Sequence, residues 1–244
     1  VEKDGSGDFT RLVDAIEEAE KYMGSIVYVG NGTWDIIEEL GNEYIENVSY
    51  SKRGVYLKNR IHLIFATDSK VTCHYTGDNA TVKTWLSAFN AGKYGFTIEN
   101  ATIESSNCRY CVHDERDKDT DAYINKYINC NMTQDNTNGG MNQCIGGGLG
   151  TNGYIVIDGC TFENLRGLTG QNSVSYHNTA GSGKSHVEVK NCYFKGNYAL
   201  HFSWYGNSTE KSTMLACGNS FGVAIKHVAE TDTAPYRNTE LIEW

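Results

Sequence analysis

Apolar and polar positions in this chain follow a short phrase that recurs. It reads Phe96-Thr97-Ile98-Glu99-Asn100-Ala101-Thr102-Ile103, returns over 125–132 ending Asn129-Cys130-Asn131-Met132, and returns again as Ile155-Val156-Ile157-Asp158-Gly159-Cys160-Thr161-Phe162. Val187-Glu188-Val189-Lys190-Asn191-Cys192-Tyr193-Phe194 is a fourth copy, and 214–221 a worn fifth. The closing residues Ile103, Met132, Phe162, Phe194 and Phe221 stand 29, 30, 32 and 27 apart. A period of that size marks a stacked repeat. Alternating β-branched and polar residues predict a half-buried strand. The Asn or Gly that follows tolerates a left-handed backbone and permits a sharp bend. A small residue and a large inward one then begin a second strand. One such unit cannot bury its apolar face alone, but stacked units cover one another.

The same pattern extends outward from these copies. Val27 and Val29 fit the phrase with Trp34 as the closing residue, and 61–71 predicts another coil with Ile64, Ala66 and Val71 inward. Leu12, Ala15, Ile16 and Ala19 fall at helical spacing behind Asp8 or Thr10 as N-cap, which predicts a short amphipathic helix over the open end of the stack. Residues 35–60 are an acidic crossing with no clear repeat, and 223–244, which hold the lone Pro235, lose the pattern. The expected architecture is a single all-β domain over 1–244. It is a single-stranded right-handed parallel β-helix of about seven coils over 26–222, with an N-terminal cap over 1–25 and a C-terminal cap or linker over 223–244.

A net charge of −9 argues against nucleic acid as partner, since phosphate binding needs clustered Lys and Arg. No apolar run reaches the length that crosses a bilayer, so membrane insertion is not expected, and no signal peptide is visible. Cys108 and Cys111 form a CxxC with no second pair at zinc spacing. Cys130, Cys160 and Cys192 hold one place in three successive repeats, which reads as a ladder of small buried thiols. No cofactor and no metal are expected.

Asp4-Gly5-Ser6-Gly7-Asp8-Phe9-Thr10, the Ala- and Glu-rich helix, Ile26-Val27-Tyr28-Val29 and Gly32-Thr33-Trp34 resemble the opening of pectin methylesterases. Ala88-Phe89 and 95–103 resemble that family's third coil. The resemblance covers about the first 103 residues and implies the pectate-lyase-like β-helix; the opening is also similar to that of β-helical phage tail and appendage proteins. The family's catalytic pieces are two aspartates, an arginine and glutamines that hold an oxyanion. Gln134-Asp135 resembles its Gln-Asp-Thr segment. Where the nucleophilic Asp is expected the chain reads Cys144-Ile145-Gly146-Gly147-Gly148, and where the Arg is expected it reads 199–204 without one.

The repeat itself points to a site on another face. Aligning Val112, Ile145, Val174 and Leu200 as inward residues puts His113, Gly146, Ser175 and His201 in one outward row, and Glu115, Gly148, His177 and Ser203 in the next. Neighbouring rows lie about 4.8 Å apart. His113, His177 and His201 are the acid–base candidates, with Asp114 or Glu115 to orient them. A metal site of His113, Glu115, His177 and His201 is an alternative. Gly146, Gly147 and Gly148 suggest a hollow for a ligand, so a bulky residue at Gly147 is expected to block binding with little loss of stability. Ser175, Gln134 and Asp135 are further contact candidates. Tyr176, Trp204 and Tyr205 supply rings suited to stacking on sugars. The acidic run 114–121 resembles a calcium loop only loosely.

Together these features favour a carbohydrate-active or carbohydrate-binding protein acting on an extended polysaccharide or cell-surface glycan, as esterase, lyase or hydrolase. The alternatives are a non-catalytic phage appendage or adhesin domain, for which a homotrimer would be the natural assembly, and a structural spacer. An extracellular, cell-surface or virion location fits all three.

Overall fold

The computed structural model describes residues 1–49, 53–58, 60–91, 95–115, 123–136, 142–149, 152–165, 173–178, 185–195, 199–204, 212–222 and 239–243. The phrase read from sequence builds a parallel β-helix with three sheets, in which each strand pairs with the equivalent strand of the coils before and after it. The first sheet has eight strands, from Ile26–Val29 to Thr239–Glu243. The second has seven, from Gly32–Asp35 to Ser220–Phe221. The third has six: Val55–Leu57, Ser87–Ala91, Tyr110–His113, Ile145–Leu149, Val174–Asn178 and Leu200–Trp204. Among the described residues, six coils therefore give a strand to every sheet, a seventh gives two and an eighth one. The count departs from seven because 239–243, placed in a patternless tail by sequence, pairs in parallel with 212–216 and prolongs the first sheet.

The bend between the first and second sheets is the most regular feature. Asn100, Asn129, Gly159, Asn191 and Gly218 hold one place in successive coils, with φ of 61°, 53°, 67°, 52° and 64°. Only Gly adopts this region without steric cost, and Asn tolerates it better than most residues. The repeated bend fixes the register of the strands on either side. Trp34, Val71, Ile103, Met132, Phe162, Phe194 and Phe221 consequently form one column across seven strands. The rings of Phe162 and Phe194 stack at 5.3 Å, and those of Phe194 and Phe221 at 5.5 Å. On the first sheet, Val27, Leu63, Ile98, Tyr127, Ile157, Val189 and Ala216 make the facing column, and all are buried.

Cys130, Cys160 and Cys192 are buried free thiols, as the ladder reading expects. Burial, helped by its thiol neighbours Cys130 and Cys192, pushes the Cys160 thiol well above its usual range.

Three local expectations are corrected. In 61–71 the inward residues are Leu63 and Phe65, and Ile64 faces outward; a one-residue slip in a strand exchanges its faces. The helix spans Leu12–Ala19 with Arg11, not Asp8 or Thr10, at the N-cap. One N–H of its first turn, that of Val13, donates to Glu39 Oε2 at 3.2 Å, so the acidic crossing serves as part of the cap. That crossing itself holds two short helices, Ile36–Leu40 and Asn42–Asn47. A further helix, Ala80–Trp85, is capped by Asn79 Oδ1, which accepts from the N–H groups of Thr81 and Val82.

Candidate functional site

The third sheet carries the histidines. Val55, Phe89, Val112, Ile145, Val174 and Leu200 line up inward, so the next residues along, Tyr56, Asn90, His113, Gly146, Ser175 and His201, form an outward row. Two residues further on, Gly148 and His177 continue a second outward row, in register with the backbone of Ser203. Glu115 joins the cluster through its contacts: its Oε2 lies 2.8 Å from His113 Nε2.

Electrostatics tie the cluster together. The His113 hydrogen bond holds the Glu115 carboxyl down to about 2, against desolvation that would raise it, with His177 and Arg109 adding attraction. Glu115 is therefore an anion throughout the neutral range. Burial lowers the His113 pKa, the Glu115 hydrogen bond opposing it, and burial together with His177 lowers that of His201. Ser175 Oγ and His201 Nδ1 are 2.8 Å apart.

Side chains not expected from sequence complete the wall of the site. The Arg109 guanidinium stacks between the rings of Trp85 at 4.6 Å and Tyr110 at 4.7 Å, with Nη1 3.4 Å from His113 Nε2. The Tyr110 and His113 rings are 5.4 Å apart. His113 Nδ1 lies 3.3 Å from Asn90 Oδ1, and Asn90 is turned by donating its amide to the Arg53 carbonyl. Arg109 and His113 are four apart, an even spacing that puts both on one face of an extended segment; that was the available signal. Trp85 carries none, since it arrives from the helix before the sheet.

Several sequence candidates turn inward instead. Asp114 is 1% exposed, and its carboxylate accepts from Asn125 Nδ2 at 2.7 Å, Tyr127 OH at 2.8 Å and Tyr176 OH at 2.9 Å. It is a buried carboxylate satisfied by donors from two further coils, and it does not orient His113. Tyr176 is fully buried with its hydroxyl on Asp114, so its ring offers no surface to a ligand. Gln134 is also interior: its Nε2 donates to the Arg109 carbonyl at 3.0 Å, holding the chain where it enters the third sheet. Asp135, half-buried at the end of a second-sheet strand, lies away from the histidine rows.

The glycine run is not an open hollow, for all three residues are buried. A Cβ on Gly146 would come within 2.9 Å of the Tyr110 ring and 3.2 Å of Gln143 Oε1. Gly147 points inward, where a Cβ would overlap the Asp114 carbonyl. The expectation that Gly147 can be enlarged cheaply is thereby reversed. Gln143 is 6% exposed and its Oε1 has no hydrogen-bond partner among the described residues. A buried acceptor without a donor costs about 1–3 kcal/mol, a local penalty in the packing beside Gly146.

Trp204 lies on a paired strand, its backbone opposite Asn178. Tyr205 and 116–121 of the acidic run lie outside the described residues. No group of three or more His, Cys, Asp or Glu among the described residues is arranged to hold a metal ion. Two hollows lie elsewhere. One of about 580 Å³ crosses the first sheet at His62, Lys126 and Tyr154, and one of about 420 Å³ lies between the N-terminal helix and the first coil. Neither is lined by His113, Ser175, His177 or His201. No helix among the described residues is long and apolar enough to cross a membrane.

No protein-family model matches the chain, and no curated protein matches it in sequence. Two solved structures of the pectin methylesterase from Aspergillus niger are similar in backbone. Its deglycosylated form is 12% identical over 93% of this chain and 90% of that one, with a TM-score of 0.34. The form that retains an N-acetylglucosamine stub has the same identity and coverage, with a TM-score of 0.33.

Proposed function

We propose that this protein is a carbohydrate-active or carbohydrate-binding β-helix protein that takes an extended polysaccharide along the outward face of the third sheet. The observation that carries this reading is the row His113, Gly146, Ser175 and His201, one residue per coil in continuous register, with His113, Ser175 and His201 partly exposed. A chain laid along the solenoid axis meets a new row position about every 4.8 Å, comparable with the advance of one sugar unit. Trp85, half-buried and stiffened by the Arg109 guanidinium on its face, gives the strip an aromatic edge on which a sugar ring can rest.

The test is a glycan-array screen, followed by titration calorimetry on any hit with wild type and with His177→Ala and Ser175→Ala. Each substitution is expected to weaken binding at least about tenfold, the loss of one or two hydrogen bonds. Absence of any glycan hit, or wild-type affinity in both variants, overturns the proposal.

A further inference from the structure

Resting on the carbohydrate reading of this face, we infer that Ser175 and His201 form a nucleophile–base pair that removes small O-acyl groups from the sugar chain. Ser175 Oγ is 2.8 Å from His201 Nδ1. That is the distance at which imidazole takes the proton of an attacking hydroxyl. Both residues face outward in the polar row, and both are half-buried, so the pair is shielded from bulk water yet open to a ligand. Burial and the neighbouring His177 lower the His201 pKa, so the ring is neutral at pH 7 and can accept a proton.

Two features set the reaction class. Glycoside hydrolysis uses a pair of carboxyl groups on either side of the bond. Among the described residues two carboxylates lie near the strip: Asp114 is turned into the core and locked by three donors, and Glu115 stays outward. A serine–imidazole pair is instead the equipment of acyl transfer. The size of the acyl group follows from the strand beside Ser175. Its register neighbour is Gly146, and the space above Gly146 is filled by Tyr110 and Gln143. An acyl group on Ser175 Oγ therefore has room only if small, such as acetyl, and the sugar must be the alcohol that leaves.

The step balances without a co-reactant other than water. Ser175 Oγ bonds to the acyl carbon while its proton passes to His201 Nδ1. The bond from that carbon to the sugar oxygen breaks, and the sugar oxygen takes the proton from His201. Water then attacks the acyl-serine with His201 again as base, releasing the carboxylic acid and restoring Ser175. His177, two residues along the same strand and on the same face, stands roughly 6.6 Å away, within reach of the carbonyl oxygen of an ester placed between them.

The molecule contains its own control. His74 Nδ1 and Ser106 Oγ make a similar pair at 2.7 Å on the second sheet, exposed and outside the strip. The experiment measures acetate release from 4-nitrophenyl acetate and from acetylated xylo- and manno-oligosaccharides, together with covalent labelling by a fluorophosphonate probe. Wild type, Ser175→Ala, His201→Gln and Ser106→Ala are compared, with thermal melts to establish folding. Labelling is expected in wild type and in Ser106→Ala. Ser175→Ala should lose the label entirely, and Ser175→Ala and His201→Gln should each lose at least about 100-fold in acetate release. Labelling that survives Ser175→Ala, or a folded wild type that neither labels nor releases acetate, overturns the inference. Glycan binding that persists in such an inactive wild type leaves the carbohydrate reading standing while the acyl-transfer reading falls.

Discussion

Replacing Gly147 by Ala separates a glycine kept for a ligand from one kept for the chain. Its backbone is not in the left-handed region, so a methyl group meets no conformational objection of its own. The obstacle is the neighbouring coil: the new Cβ would overlap the Asp114 carbonyl and lie 2.8 Å from the Glu115 nitrogen. Comfortable carbon contacts begin near 3.5 Å, so the strands must part by more than about 1 Å. The segment that must move is pinned. The Asp114 N–H donates to the Gly146 carbonyl at 2.9 Å, and the Asp114 carboxylate holds Asn125, Tyr127 and Tyr176. Losing one ladder bond costs about 1 kcal/mol, and partly unpairing a buried carboxylate costs about 1–3 kcal/mol more. The expected loss is about 2–4 kcal/mol, read as a fall in the urea midpoint at unchanged m-value. Gly146→Ala is the comparison. It meets the Tyr110 ring and the end of the Gln143 side chain, which can yield, so about 1 kcal/mol is expected. A Gly147→Ala protein within about 1 kcal/mol of wild type would refute the close-approach reasoning.

Phe194→Ala empties a fully buried position between two stacked rings and should cost about 3–5 kcal/mol by urea unfolding, whatever the function. Acid should weaken the fold through two groups. The folded pKa of His201 lies below its usual value, so the unfolded chain binds the proton more readily and stability falls as pH drops below about 6.5. Urea midpoints measured from alkaline to mildly acidic pH should fall less steeply in His201→Gln than in wild type. Glu115 contributes stability that is complete above its ordinary pKa and is lost progressively as pH falls from there through its folded pKa of about 2. His113→Asn should bring that loss to higher pH in an acid titration followed by circular dichroism. Seven of the eight cysteines are buried, so a thiol reagent under mildly alkaline conditions should modify Cys217 first in the native protein and all eight after unfolding.

What the sequence revealed and what it hid divide along one physical line. The bend between the first and second sheets is the same length in successive coils and is written with Asn or Gly, so the phrase is periodic and its inward column can be read off directly. The stretch from the second sheet to the third varies in length. Three residues separate Ser106 from Tyr110 and five separate Phe194 from Leu200, but nine separate Asp135 from Ile145 and nine separate Asn164 from Val174. A connection of varying length carries no period, so the third sheet had to be aligned from its own inward residues. That alignment yields the row His113, Gly146, Ser175, His201 as found. Alternation along the same strands implies that Asp114, Gly147 and Tyr176, lying between outward residues, face the core. The chemistry of a carboxylate and a phenol suggested a ligand, and the pleat decided otherwise.

Asp114 can be interior because Asn125, Tyr127 and Tyr176 meet it there, the last from 62 residues away, and no local pattern announces such a meeting. Trp85 was hidden for the same reason, and the spacing of Arg109 from His113 marks its face but not its aromatic neighbours. Arg109 enters from the turn before the strand and Trp85 from a separate helix, and they become neighbours only when the coils stack. Function in such a fold can therefore vary where the period fails. The periodic bend fixes the scaffold, while the aperiodic connections deliver the side chains that differ from coil to coil. Substitution of the half-buried Trp85 should accordingly change what the strip binds more than it changes the urea midpoint of the fold.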